Sequence, residues 1–255
     1  MRVLWWIKRD LRLADNPALA EACAAAKEAG GEVLPLYLFE PSLLRAPETG
    51  ALHIQVLLQG LDGLRRRLRK RGSELMILSG EVPEAFETLR ESYRFDAVYL
   101  EEETGSRITY DRDIRFRRWC RERGVVLREF PRNGVVRGLS DRDRRITVWR
   151  ERMGSSLTAE PGEIPASPAT RAAAAATELP SPQELGFSPP RRGVQRLDEA
   201  AAEKSLESFL YHRGKGYSKG ISSPQTSRFT GSRLSIHLAW GTLSLRQALS
   251  RLRDR

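Results

Sequence analysis

The chain has 255 residues, 40% of them hydrophobic and 30% charged, with a formal net charge of +10. That length allows one large domain or two smaller ones, and the composition excludes gross disorder. No apolar run approaches the ~20 residues that span a bilayer. The opening MRVLWWI is too short for a signal-peptide core and lacks a cleavage site, so a cytoplasmic protein is expected.

Residues 3–7 form a short apolar run suited to a buried strand. Asn16 and Pro17 then make a helix start, with Asn as N-cap and Pro in the first turn. Leu19, Ala22, Cys23 and Ala26 follow at helical spacing, and Gly30 and Gly31 stop the helix. Residues 33–39 read as a second strand. Ile54, Leu57, Leu58, Leu61, Leu64 and Leu68 line one face of a long helix that ends at Gly72. Residues 75–78 read as a strand, 82–91 as a helix and 97–100 as a fourth strand. Ile108, Phe116, Trp119 and Cys120 mark a further helix, ended by Gly124, and residues 125–130 a fifth strand. Crossover helices between strands imply a parallel sheet covered on both faces. The fold class expected is α/β, a Rossmann-like, doubly wound, five-stranded parallel sheet over residues 1–132.

Residues 133–197 read as an irregular, Pro/Ala-rich interdomain linker. Seven of the fourteen prolines fall between 154 and 193, and the alanine run 172–176 allows a short helix. From residue 198 helical patterning resumes. Leu206, Phe209 and Leu210 suggest one helix, and Ser244 can cap a last one that buries Leu245, Leu249 and Leu252. Residues 191–255 carry thirteen Lys/Arg against five acids, a field that favours polyanions such as DNA or a pyrophosphate. The cationic run Arg65, Arg66, Arg67, Arg69, Lys70 and Arg71 is read as offsetting the helix dipole while solvated.

Several chemistries are excluded. There is no GxxxxGK[ST] loop, no GxSxG elbow and no GxGxxG after the first strand, where Lys8-Arg9-Asp10-Leu11-Arg12-Leu13 stands instead. His53, His212 and His237 have no metal spacing, and Cys23 and Cys120 form no CxxC pair, so no metal site is expected. Glu101, Glu102 and Glu103 read as a solvated strand end. The informative stretch runs from Tyr217 to Arg246. It is rich in hydroxyls and glycines, and a helix start near Ser232 and Ser235 suits a phosphate, although such starts also serve simply as caps.

Two segments carry a family resemblance. WWIKRDLRLADNPAL at residues 5–19 resembles the opening signature of the photolyase/cryptochrome family, an apolar strand before (R/K)RDLR-x-x-DNPAL. GSRLSIHLAWGTLSLR at residues 231–246 resembles the family's flavin motif, TSRLSP-x-L-x-x-G-x-(I/L)S-x-R. The resemblance implies that residues 198–255 begin an all-α FAD-binding domain, in a chain about half the length of family members. It implies FAD contacts from Tyr217, Gly231, Ser232, Arg233, Leu234 and Ser235, with Gly231 standing where many members have threonine. It gives Arg9, Asp10, Arg12 and Asp15 ion-pair roles within the α/β domain. A second, antenna chromophore of folate or deazaflavin type is implied for that domain. The activity implied is that of a DNA photolyase, a carbon–carbon lyase repairing pyrimidine dimers in DNA under blue light, monomeric when full length. The alternatives are a cryptochrome-type photoreceptor, or an inactive remnant with only the α/β domain folded. The catalytic residues of such a reaction are not placed. The chain alone is expected to bind FAD weakly or not at all.

Overall fold

A computed structural model of the chain describes every residue except 133 and 138. Five strands, β1 (Arg2–Ile7), β2 (Glu32–Phe39), β3 (Met76–Ser79), β4 (Ala97–Glu101) and β5 (Val126–Phe130), make one parallel sheet in the order β3-β2-β1-β4-β5. Between them lie helices α1 (Pro17–Glu28), α2 (Pro41–Leu44), α3 (Ala51–Lys70), α4 (Glu84–Ser92) and α5 (Arg107–Arg123). Successive side chains of a strand point to opposite faces. Val3, Trp5 and Ile7 of β1 pack with Leu19 and Ala22 of α1 and Leu57 and Leu61 of α3. Leu4 and Trp6 face the other way, onto Phe86 of α4 and Phe116 and Trp119 of α5. The sheet is therefore buried on both faces, as the doubly wound expectation required.

Local signals act as the sequence suggests. The Asn16 side chain accepts from Leu19 N at 3.0 Å, with Pro17 opening α1. Gly124 closes α5 at φ 63°, where a Cβ would be strained. Cys23 and Cys120 are buried, and burial pushes their thiols up to about 11 and about 12.

The stretch read as a linker, which includes the two residues outside the description, carries α6 (Arg145–Gly154) and α7 (Pro168–Ala175). It runs against the sheet rather than away from it. Val33 N donates to Pro165 O at 2.7 Å, Glu32 accepts from Ser167 N and Thr170 Oγ1, and Ile77 N donates to Thr177 Oγ1 at 2.9 Å. The cationic end of α3 is tied down here and not simply solvated: Arg67 pairs with Glu160 and Glu199, Arg71 with Glu160, and Arg65 and Arg69 with Glu74. Glu74 is a near neighbour in sequence, but Glu160 lies 93 positions from Arg67 and 89 from Arg71, which a local reading of a helix end does not reveal.

The remaining helices are α8 (Glu199–Tyr211), α9 (Tyr217–Gly220), α10 (Pro224–Thr230), α11 (Ser235–Trp240) and α12 (Leu245–Arg253). Ala202, Leu206, Leu210, Leu234 and Leu243 form their small buried cluster. Ser244 caps α12 in a capping box with Gln247, as its sequence suggests, but the helix does not bury the leucines expected of it: Leu245 and Leu249 are half-buried and Leu252 is exposed. Among the described residues no helix is long and apolar enough to cross a membrane.

Candidate functional site

In a sheet of this order the direction in which strands are added reverses between β1 and β4, and the crevice above the C-terminal strand ends is where such folds hold ligands. A cavity of about 340 Å³ lies there, lined by Trp6, Tyr37, Phe39, Glu40, Glu103 and Trp240 among others. Its floor is a buried charge network. Arg112 reaches Glu40 at 2.6 Å, Glu103 at 2.7 Å and Asp113 at 2.8 Å, and Lys8 lies 3.4 Å from Asp113. Burial raises all three acids, and their cations pull them back unequally. Asp113, facing Lys8 and Arg112, falls to about 2. Glu103 also ends below the ordinary range, because Arg112, Lys8 and Arg9 outweigh its burial. Glu40 has chiefly Arg112, and burial leaves it at about 7.

The acidic run after β4 is thus no solvated strand end. Glu101 is 2% and Glu103 6% exposed. Glu101 accepts from Arg12 at 2.5 Å, and burial still pushes it up to about 7. Only tertiary structure brings the arginines that make such burial tolerable.

The two signature segments meet in space. Leu11 N donates to Trp240 O at 3.1 Å, and Arg12 Nη1 to Gly241 O at 3.2 Å. The Arg9 guanidinium sits 4.9 Å from the Trp240 ring centroid. Gly241, at φ 71°, comes so close that a Cβ would lie 2.0 Å from Arg9 O. Asp15 bonds Ser244 and Arg246. The ion pairs expected within the α/β domain are there for Arg9 with Glu103 and Arg12 with Glu101. Asp15 instead crosses to the helical segment.

The residues from Gly231 to Ser235 form the turn into α11. Gly231 is required by close approach, since a Cβ there would lie 2.7 Å from Ser227 O. A threonine would need this turn to shift. Arg213 ties the turn to α8: it donates to Gly231 O and to Ser232 O, and also to Ser205 O at 2.8 Å and Ser208 Oγ at 3.0 Å. Arg233 takes φ 58°, in the left-handed region, and its carbonyl accepts from Gln195 at 2.8 Å. Leu234 is buried in the small core, and Ser235 opens α11. His237, fully buried between Thr242 and Gln195, is pushed down to about 4 by burial and stays neutral.

Between α8 and this turn lies an open cavity of about 520 Å³ lined by Gln195, Arg196, Lys204, Ser205, Ser208, Arg213 and Arg233, with Ala201. Four cations and no carboxylate face it. Arg196 pairs with Asp198 outside the lining. Among the described residues no carboxylate pairs with Lys204, Arg213 or Arg233, and burial together with Arg233 holds the Arg213 pKa below its ordinary value. Of the six motif positions, Arg233 lines this cavity, while Gly231, Ser232, Leu234 and Ser235 lie outside its lining. Tyr217 stands apart: it is exposed, edge-on to Phe209 at 5.7 Å, and outside the lining. Arg213 and Lys204 were not singled out from sequence, and their only signal was the basic excess of the tail.

The model of the DNA photolyase family matches residues 3–140, more than half of the chain. The chain belongs to the DNA photolyase family. It is 27% identical over 223 residues to the cryptochrome DASH of Natronomonas pharaonis, covering 81% of this chain and 46% of that one. It is 29% identical over 259 residues to the deoxyribodipyrimidine photo-lyase of Halobacterium salinarum, covering 95% and 53%. The crystal structure of a class III photolyase from Agrobacterium tumefaciens superposes with a TM-score of 0.74 at 25% identity, over 98% of this chain and 54% of that one. The chain thus spans about half the length of each of these three relatives. Residues 131–246, which hold the turn and the basic cavity, fall largely beyond the family-model match.

Proposed function

We propose that this chain supplies the α/β domain and one phosphate-holding wall of a cytoplasmic, photolyase-type flavoprotein that acts on pyrimidine dimers in DNA. The observation that carries the reading is the carboxylate-free cavity between α8 and the turn of residues 231–235, with Lys204, Arg213 and Arg233 unpaired by acids. A pyrophosphate is the ligand such a donor set suits: three cations for its charge, and Ser205 and Ser208 hydroxyls for its oxygens. Arg213 would meet phosphate charge while holding the carbonyls of Gly231 and Ser232. Ser232, Leu234 and Ser235 would hold the turn's shape, and Tyr217, on the α9 side, would flank it. The chemistry a bound FAD supplies is blue-light-driven electron transfer to the dimer, and the chain's own part is to bind and orient. The tail's small core offers no enclosing pocket for the flavin ring, so binding by this chain alone is weak.

The cavity at the sheet end supports a second site. Its aromatic walls and buried charges suit a planar heterocycle of folate or deazaflavin type serving as an antenna. A light-sensing role is the second reading of function, favoured by the match to a cryptochrome DASH over 81% of the chain. Dimer repair in light against dark, by a protein carrying the whole helical half, separates the two.

The decisive test is a fluorescence titration of the chain with FAD, ADP and riboflavin. FAD and ADP should compete with one another, riboflavin should not displace them, and Arg233→Ala should weaken both phosphate-bearing ligands at least about tenfold. Riboflavin binding as tightly as FAD, or FAD binding unchanged in Arg233→Ala, would contradict the reading.

A further inference from the structure

Asp15 has more bonded neighbours than a helix-entry loop needs. It is 2% exposed and holds φ 52°, a left-handed conformation that Asp tolerates better than most residues. Every polar group it carries is used. Its N–H donates to Thr158 O at 2.9 Å, and its carbonyl accepts from Arg12 Nε at 3.1 Å and Nη2 at 2.9 Å. Its Oδ1 accepts from Thr158 N at 3.0 Å and from Arg246 Nη2, and its Oδ2 from Ser244 Oγ at 2.5 Å and Arg246 Nε at 3.2 Å. One carboxylate thus joins the loop after β1, the segment before α7 and the first turn of α12. Arg246 adds bonds of its own to Ser155 Oγ at 2.9 Å and Thr158 Oγ1 at 3.4 Å.

The placement matters because α12 and the turn of residues 231–235 share one small core, in which Ala248 of α12 packs against the cluster that holds Leu234 and Leu243. α11 is the only element between them, and Gly241 at its end is pinned under Arg9 and Arg12. A carboxylate clasped by a two-pronged guanidinium fixes orientation as well as distance. The Asp15 side chain is buried and that of Arg246 largely so, and removing one partner leaves the other charge unpaired, which makes the loss of either costly.

We propose that Asp15 is a positioning residue, the latch through which the α/β domain holds the turn of residues 231–235 in its phosphate-facing geometry, with Arg246 as its catch. The latch rests on the structure alone, while its consequence for flavin rests on the phosphate-wall reading above. None of the polar partners of Asp15 lines the basic cavity, so an effect on a ligand there would have to pass through α12 and α11.

The test compares wild type, Asp15→Asn, Arg246→Gln and the double variant by residue-resolved hydrogen exchange, with FAD titration in parallel. Asn keeps the size and tolerates the left-handed backbone, so the α/β domain should fold in each case. Amides of residues 235–253 should exchange at least about tenfold faster in each single variant, the double should be no faster than either, and strands β1–β5 should be unchanged. The FAD affinity of the single variants should fall by a similar factor. Unchanged exchange over 235–253, additive effects in the double variant, or equal loosening of the sheet would overturn the latch. Wild type failing to bind FAD, with exchange behaving as described, would overturn the phosphate wall and leave the latch standing. FAD bound equally by wild type and Asp15→Asn would remove the positioning role.

Discussion

The α/β domain and the helical tail are built at opposite extremes of self-sufficiency. Around β1 two apolar layers close on the sheet, with Trp6 edge-on to Phe86 and Phe116 at 4.9 and 4.8 Å. Residues 198–255 share one cluster of five buried aliphatic side chains. Their Tyr211, Tyr217, Ile221, Phe229 and Leu252 are exposed, Phe229 at 61%. The first region buries enough surface to define itself. The second buries little of its own and is tied to the first through Arg12, Asp15 and Arg246. A sequence motif can therefore be complete in its residues while its shape is supplied from elsewhere in the chain.

The largest expected difference between the regions comes from core truncation. Trp6→Ala should cost about 3–5 kcal/mol and lower the urea midpoint of the whole domain. Leu206→Ala should cost about 2–3 kcal/mol, yet appear only as faster exchange in the tail, leaving the sheet's midpoint in place. A shared loss of midpoint in both variants would show one cooperative unit instead of two.

Acidification should split the regions by sign. His237 is held neutral by burial at about 4 against an ordinary 6.5. The unfolded tail takes up that proton first, so the tail loses stability as pH falls from 6.5 towards 4. Glu40 and Glu101 run the other way: their folded pKa values are raised to about 7, so the folded sheet domain holds their protons first and gains stability as pH falls from 7 towards 4.5. Asp113, held at about 2, withdraws its contribution only below about pH 4. Exchange followed from pH 7 to 4.5 should show tail amides loosening while sheet amides tighten, with His237→Gln flattening the tail's response. The smallest effect is expected at Tyr217→Ala, within about 0.5 kcal/mol of wild type by urea unfolding, because the ring is largely exposed.

The sheet was legible because local signals agreed with one another. Apolar runs of strand length, the Asn16–Pro17 start and Gly124 each act within a few residues. The four-residue α2 carries no periodicity to detect, and α6 sits where prolines, glycines and charges mask a short helix. What stayed hidden was long-range charge pairing. The partners of Arg67, Glu101 and Asp15 lie 89 to 231 positions away. The turn of residues 231–235 was found through resemblance. Its setting among Arg213, Lys204 and Gln195 depends on how α8 packs, which no spacing within the motif encodes.

The central claim is that the flavin's phosphates sit between α8 and the turn of residues 231–235. Hydrogen exchange of the chain with and without saturating FAD locates them directly. New protection is expected over residues 205–213 and 231–237, with none at the strand ends. Protection confined to the sheet-end cavity, around residues 103–112, would contradict it and place the flavin on the α/β domain instead.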